Sequence, residues 1–282
     1  MLSDVTSLRI DHPGCPEMSN LIEQSRVVRP AIPSDAETIY ALMGKAFGET
    51  YIVYTIYQAP QSIEYIRYLI RQNDFHYFFV LCQSNQPVGY YHAFRRETDF
   101  FLNYVAVLPG MQGNGLGQVL LEHYEDKGWK EGCTRLVLDV FDSNAIAKKW
   151  YLSHGYQIES FSYLTRLSMW NQNIVRPSIG LTYDVEQWNR ALQEEQEHGF
   201  SKIKCSSGPI QLTVGLIAGN VCRLMDYSNI SLDDAIISII RMFGSHRRVL
   251  VISSVHKISS DWQVLSSEKV IRLFKVQIEA FT

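Results

Sequence analysis

The sequence predicts an α/β (α+β) fold: a mixed, mostly antiparallel sheet flanked by helices, followed by a smaller C-terminal α/β segment. Three observations carry that expectation. Apolar runs at 75–82, 88–95 and 100–107 follow one another across short polar turns, the pattern of an antiparallel meander. The third run leads through Pro109 into a glycine-rich turn (Gly113, Gly115, Gly117) and then into an amphipathic helix. After residue 169 the composition turns polar, and a second apolar set begins at Ile210.

Residues 1–25 read as a polar extension in which Pro13 and Pro16 interrupt any periodicity. Arg26-Val-Val-Arg-Pro30 is expected as a short strand. Ser34-Asp-Ala-Glu37 matches a capping box, and Ile39, Leu42, Met43 and Ala46 follow at helical spacing. Tyr51, Tyr54 and Tyr57, flanked by Ile52 and Ile56, fit a helix or an ordered loop, and a second helix is expected over Ser62–Arg71. Phe75–Cys82, Val88–Arg95 and Phe100–Val107 form the meander, with Ser84-Asn-Gln-Pro87 as its first turn. In the helix after the glycine turn, Leu116, Val119, Leu120 and Tyr124 share one face, and Gly128 and Gly132 loosen its end. Thr134–Val140 reads as a buried strand, and Asn144–His154 as a short helix stopped by Gly155. Two strands follow, Gln157–Phe161 and Leu164–Met169.

Residues 170–208 read as a connector with a helix at Val185–His198, and 209–282 as a small α/β domain. In the latter a strand at Ile210–Ile217 precedes a helix at Ser231–Phe243, capped by Ser231 with Asp233 and Asp234 in its first turn. Strands at Arg248–Ser253 and Val270–Phe281 complete it. About 70 residues is small for an independent domain, so this segment is expected to pack on the first unit or on a partner.

A chain of 282 residues with 46% hydrophobic and 20% charged residues has the composition of a globular protein with a real core. Its net charge of −3 argues against a general nucleic-acid footprint. The five cysteines (Cys15, Cys82, Cys133, Cys205, Cys222) are scattered and odd in number, which fits reduced thiols better than a disulfide framework. Residues 1–23 lack the basic flank and apolar block of a signal peptide. No apolar run approaches the roughly 20 residues that a membrane helix needs. The expectation is a soluble cytoplasmic protein with no nucleic-acid or membrane partner, no metal site, and a homodimer as one candidate assembly.

The glycine turn narrows the chemistry. Glycines let successive N–H groups face one point, and the helix that starts there adds its positive end, so a pyrophosphate is the natural guest. A dinucleotide-binding fingerprint would follow the first strand of a βαβ unit, not a meander, and no Gly-Lys-Ser/Thr follows to make a P-loop. Gln112-Gly-Asn-Gly-Leu-Gly117, preceded by Val107-Leu-Pro109, instead resembles the Q/R-x-x-G-x-G/A turn of the GNAT superfamily of acetyl-CoA-dependent N-acyltransferases. The resemblance spans roughly Val27–Met169. It includes Arg29-Pro-Ala with Asp35-Ala near the start. It also includes Asn144, Ala147, Tyr151 and Gly155-Tyr156, which match the family's N-x-x-A-x-x-x-Y-x-x-x-G-F/Y pattern.

This resemblance implies a GNAT fold over 26–169 and transfer of an acetyl group from acetyl-CoA (coenzyme A) to a primary amine by direct attack. It implies that Gln112, Gly113, Asn114, Gly115, Leu116, Gly117 and Gln118 hold the pyrophosphate. The strand edge at Val105, Ala106 and Val107 would pair with the pantetheine arm as an added strand does. Asn144 would bond the pantetheine or cap its helix. Tyr151 would protonate the leaving thiolate, the plainer reading being a core tyrosine. Many members carry a carboxylate on the strand before the turn. Asn103 stands near that place and cannot act as a base. The base is open among Glu97, Asp99, His92 and a water chain, against the plainer readings of solvated turn carboxylates and a core histidine. Tyr51, Tyr54 and Tyr57 line an acceptor pocket or belong to the core, and His123 and His154 are expected at the surface. The missing base favours one alternative, a catalytically silent acyl-CoA-binding module that senses or scaffolds. A longer acyl donor is a third reading. The acceptor, a small-molecule or protein amine, is not legible. The C-terminal element order echoes the second half of the family fold without its glycine turn or Asn…Tyr pair, as a degenerate half-domain would.

Overall fold

A computed structural model of the chain describes residues 26–72, 75–168, 179–244, 247–254, 259 and 262–277. The expected extension at 1–25, Cys15, and parts of the connector and final strand lie outside these residues. The strands are β1 (Arg26–Pro30), β2 (His76–Gln83), β3 (Gln86–Arg96), β4 (Asp99–Val107), β5 (Arg135–Phe141), β6 (Gln157–Ser168), β7 (Phe200–Ser207), β8 (Ile210–Ile217), β9 (Val221–Ser228), β10 (Arg248–Ser253) and β11 (Gln263–Val276). The helices are α1 (Ala36–Ile52), α2 (Ser62–Gln72), α3 (Leu116–Lys130), α4 (Ala145–Ser153), α5 (Val185–His198) and α6 (Leu232–Phe243). One mixed sheet contains all eleven strands, in the order β1-β2-β3-β4-β5-β11-β6-β10-β9-β8-β7.

The meander forms as the apolar runs predict. Helices α3 and α4 cover one face of it, burying Leu116, Leu120, Tyr124 and Tyr151 against Leu102, Leu136 and Leu138. The other face is covered by α1 and α2 through Ile39, Leu42, Met43, Ile66 and Leu69. The entry to α1 differs from the predicted capping box, because Asp35, not Ser34, does the local bonding. Its carboxylate accepts from the Ile32 N–H at 2.8 Å and from both Arg29 terminal nitrogens at 2.7 and 2.9 Å. Helix α1 also kinks at Gly48, whose φ of 58° is left-handed. Gly128 lies inside α3, where it lets the helix approach the sheet. A Cβ there would sit 2.5 Å from Leu136 Cδ2 and 2.7 Å from Phe100 Cδ1. Gly132, at φ 74°, follows the end of the helix.

Beyond residue 156 the structure corrects the reading. The two short strands expected at 157–161 and 164–169 are one strand, β6. The connector carries not only α5 but also β7, and the sequence reading missed β9 altogether. Strand β11 lies between β5 and β6, antiparallel to both. Residues 209–282 therefore complete the sheet of the first unit and do not build one of their own, and a boundary at 209 would cut the β7–β8 hairpin.

Strands β7, β8 and β9 are joined antiparallel and β9 runs parallel to β10 across α6. This repeats the order and sense of β2, β3, β4, α3 and β5. The second set has its own core of Ile203, Leu212, Val214, Leu224, Ile236 and Val251. Tyr54, Leu164, Phe200, Ile217, Val221 and Leu250 pack the two halves together.

Candidate functional site

Strand β4 pairs with β3 along its length but with β5 only over Asp99–Leu102. His92 faces Tyr104 while Ala93 faces Leu102, so Asn103 is an extra residue without a cross-strand partner. This β-bulge bends the strand where it leaves β5. Residues 104–107 then keep β3 on one side only, while β5 continues beside β11. A V-shaped gap results, and its β4 wall presents free backbone groups. The bulge also exchanges faces. Tyr104 and Ala106 point toward α1 and α2, whereas Val105 and Val107 join Leu102 on the α3 side. At the crotch of the V, the buried Tyr124 hydroxyl donates to the Phe100 carbonyl on β4 at 2.5 Å and lies 3.3 Å from the Val137 carbonyl on β5.

The β4 wall runs directly into the glycine turn. After a short 3-10 turn at Pro109–Met111, Gly113 and Gly115 adopt φ of 80° and 76°, and α3 starts at Leu116. Gly115 is the helix cap and offers no side chain, so the N–H groups of Leu116, Gly117 and Gln118 have no capping partner. Val119 is the first to bond back, to the Gly115 carbonyl at 3.2 Å. A Cβ at 113 or 115 would meet nothing within 4 Å, so the concave side of the turn is open. Gly117 differs from the expectation that all three glycines shape the turn. Its φ is not positive, and a Cβ there would make ordinary 3.7 Å contact with Trp150. Gln112 Nε2 donates to the Val107 carbonyl at 3.1 Å and Asn114 Nδ2 to the Met111 carbonyl at 3.2 Å, bracing the turn. Gln118 donates to Glu122 and also bonds His154, tying the start of α3 to the end of α4. His123 and His154, expected at the surface, are half-buried, His123 bonding the Tyr91 hydroxyl at 2.8 Å.

Tyr151 lies on the α3 side of the gap, in the same core cluster as Val105, Val107 and Val140. Burial pushes its phenol pKa up. Its ring packs edge-on against Tyr156, and among the described residues its hydroxyl has no hydrogen-bond partner. Asn144 caps α4, its Oδ1 accepting from the Ala147 N–H at 3.1 Å. The cap reading is thus realised, and the amide nitrogen remains for other contacts.

On the opposite face, Asn103 Nδ2 lies 3.1 Å from His92 Nδ1, and His92 Nε2 lies 3.0 Å from His76 Nδ1. His92 is buried and stacked on Phe78 at 4.0 Å. Burial, then the neighbouring His76, holds its pKa well below the ordinary value, so the ring is neutral near pH 7. The structure does not bring the two carboxylates here. Glu97 is exposed in the β3–β4 turn, and Asp99 lies beside Arg135 at 3.5 Å. Four residues of strand separate Asp99 from Asn103, about 13 Å, so of the three candidate base side chains only His92 contacts the bulge residue. Of the three tyrosines, Tyr54 and Tyr57 are buried. Tyr51 stacks on Phe141 at 4.6 Å and its hydroxyl lies 2.9 Å from Ser143 Oγ.

The sequence reading missed Tyr104, which lies edge-on to Tyr57 at 5.0 Å beside the bulge. It also missed Asp139, on the β5 wall, where Arg272 of β11 grips the carboxylate at 2.8 and 2.9 Å. Alternation along β4 could not have flagged the first, since Phe100, Leu102, Tyr104 and Ala106 are in phase in the sequence and only the bulge at Asn103 puts them on different faces. No local signal marks the second.

Residues 37–156 match the model of the acetyltransferase (GNAT) family. No curated protein matches the chain. Solved structures similar across both halves include a candidate acetyltransferase from Pyrococcus horikoshii, with a TM-score of 0.61 at 14% identity, covering 93% of this chain and 93% of that one. A GCN5-related N-acetyltransferase from Sphaerobacter thermophilus gives 0.57 at 13%, covering 89% and 95%. Another from Kribbella flavida gives 0.55 at 10%, covering 92% and 72%. At such identities the likeness establishes the fold, and it extends over about nine-tenths of this chain.

Proposed function

We propose, from the premise that residues 37–156 match the model of the acetyltransferase (GNAT) family, that the protein is an N-acetyltransferase moving the acetyl group of acetyl-CoA to an amine. The observation that carries this reading is the continuity of the free β4 edge with an uncapped, glycine-walled helix start. A pantetheine–pyrophosphate arm needs both in one line. The N–H groups of 113–118 surround the diphosphate, aided by the positive end of α3. The edge of β4 from Asn103 to Val107 pairs with the pantetheine amides, and Asn144 Nδ2 adds a donor at the start of α4. The open Cβ positions at Gly113 and Gly115 fit a phosphate approaching the backbone closely.

Acetyl-CoA, when bound, supplies an activated thioester carbonyl. The chain does the rest from the two faces of the gap. Tyr151 delivers its phenolic proton to the sulfur as the C–S bond breaks. Burial keeps that proton in place until then, and the hydroxyl gives it up without breaking an internal bond. On the other face the amine enters beside Asn103, whose amide orients it, and attacks as the free base. The proton lost on forming the C–N bond leaves through His92 and His76, which line up from the bulge toward the rim of the sheet. The amine loses one proton and the thiol gains one, so the balance closes. The four described cysteines are buried and unpaired, which supports a reducing compartment such as the cytoplasm. No helix among the described residues is long and apolar enough to cross a membrane.

Purified protein mixed with acetyl-CoA and a panel of amines should release free thiol in an acceptor-dependent manner. Tyr151→Phe should lower turnover about 10²-fold or more while leaving coenzyme A affinity within about twofold. The amide of Asn103, standing where a carboxylate base would be expected, favours one rival, a silent acyl-CoA-binding module. Tight binding without release for every amine would support that rival instead.

A further inference from the structure

The C-terminal half sends one polar side chain toward the gap. On β9, Cys222 and Leu224 face the core under α6, while Val221 joins the contact between the halves. Arg223 therefore lies on the side of β9 that faces the first half, in register with Gly215 of β8 and Leu250 of β10. Its guanidinium acts electrostatically on the Tyr104 hydroxyl of β4 and the Asp139 carboxylate of β5, the two walls of the V. The side chain is half-buried, and its enclosed Nε has no hydrogen-bond partner among the described residues. Asp139 is held by Arg272 from both nitrogens and makes no hydrogen bond to Arg223 among the described residues. Lys202 of β7 adds a second cation within electrostatic reach of Arg223 and of His76. Desolvation lowers the Arg223 pKa by more than Tyr104 and Asp139 raise it, so the guanidinium is only partly compensated where it lies. Its two terminal nitrogens, which unlike Nε are not enclosed, make a planar pair whose spacing matches the two oxygens of a carboxylate.

We propose that the acceptor amine carries a carboxylate, and that Arg223, with Lys202 behind it, binds that carboxylate and so sets acceptor specificity from the second half of the sheet. The proposal rests on the N-acyltransfer reading. It gives a role to a half that lacks a glycine turn yet packs against the first through Tyr54, Phe200, Ile217 and Leu250. That half caps its own helix with Ser231 and places Asp233 and Asp234 in the first turn, which repels an anionic cofactor. What it contributes is a cation for the acceptor.

The test compares L-amino acids with their carboxamides as acceptors. The pairs share an amine and differ in the negative charge. Because the carboxamide lowers the amine's own pKa, a preference for the acid runs against intrinsic reactivity. Wild-type kcat/KM should favour the acid by roughly 30- to 1,000-fold. Arg223→Gln should erase that preference while leaving carboxamide turnover, coenzyme A affinity and the thermal midpoint near wild-type. Arg223→Lys should retain part of it, and Lys202→Gln should weaken it less than Arg223→Gln does. Equal rates for both members of each pair in the wild type, or a preference that survives Arg223→Gln, would overturn the proposal. If no amine is acetylated, the transferase reading fails, and calorimetry of the same amino acids with the coenzyme A-loaded protein decides the site independently. Binding that Arg223→Gln abolishes upholds it, and no binding overturns it.

Discussion

Gly115→Ala separates the two duties of the glycine turn, shaping the chain and admitting a ligand. Gly115 sits at φ 76° and ψ 0°, left-handed backbone that costs an L-residue about 1–2 kcal/mol. Alanine recovers about half of that by restricting the unfolded chain. No clash adds to the cost, since a Cβ there meets nothing within 4 Å. The net loss of stability is therefore about 1 kcal/mol, a fall of roughly 2–4 °C in thermal midpoint for a chain of this size. The same empty space is where a diphosphate would approach. A methyl group there displaces it from one or two charge-assisted N–H contacts, at about 1.5–3 kcal/mol each. Coenzyme A affinity should fall roughly 100-fold. Differential scanning fluorimetry and isothermal titration read the two effects separately. Gly117→Ala is the internal comparison. Its backbone is helical and its Cβ would touch Trp150 at 3.7 Å, so its fold should be unharmed or slightly firmer. A Gly115→Ala protein that melts a few degrees lower yet binds coenzyme A as the wild type does would refute the diphosphate assignment and leave the turn a purely structural device.

Glu195 and Arg247 form a buried pair with both contacts at 2.8 Å, and Glu195 also accepts the Gly219 N–H at 2.9 Å. Glu195→Ala strands a buried guanidinium and should cost about 3–5 kcal/mol, measurable as a drop in denaturation midpoint. Burial holds the pKa values of His76, His92 and His123 below the ordinary imidazole value. Below about pH 6.5 the unfolded chain thus binds more protons than the folded one, so stability is full above that pH and declines as pH falls. Thermal midpoints should show this, and His92→Gln should flatten the decline. Truncation before Gln263 removes β11, leaving β5 and β6 without the strand between them. Such a protein should fail to give a cooperative melting transition even though residues 26–168 are intact.

What could be read along the chain was whatever depends on neighbours in sequence. The meander follows from two-residue alternation, and the glycine turn from residues that alone tolerate left-handed backbone at 113 and 115. The cap at Asn144 and the stop at Gly155 need only a few consecutive residues. The resemblance to the acetyltransferase (GNAT) family, whose model residues 37–156 match, was legible for this reason, because the motif that carries it is contiguous. The structure decided everything that depends on pairing between distant strands. Asn103 became a bulge only when β3 imposed its register. Glu97 and Asp99 lost their place as bases because strand length carried them away from the gap. Strand β11 crossed back between β5 and β6 because two unpaired edges there demanded a partner, and hydrogen-bond demand leaves no mark in a local pattern. Arg223 lies 120 residues beyond Asn103 and faces the same gap only through the continuity of one eleven-stranded sheet. Periodicity states which face of its own strand a side chain occupies. Which other surface that face meets is set by the packing of the two halves, through Tyr54, Phe200, Ile217 and Leu250.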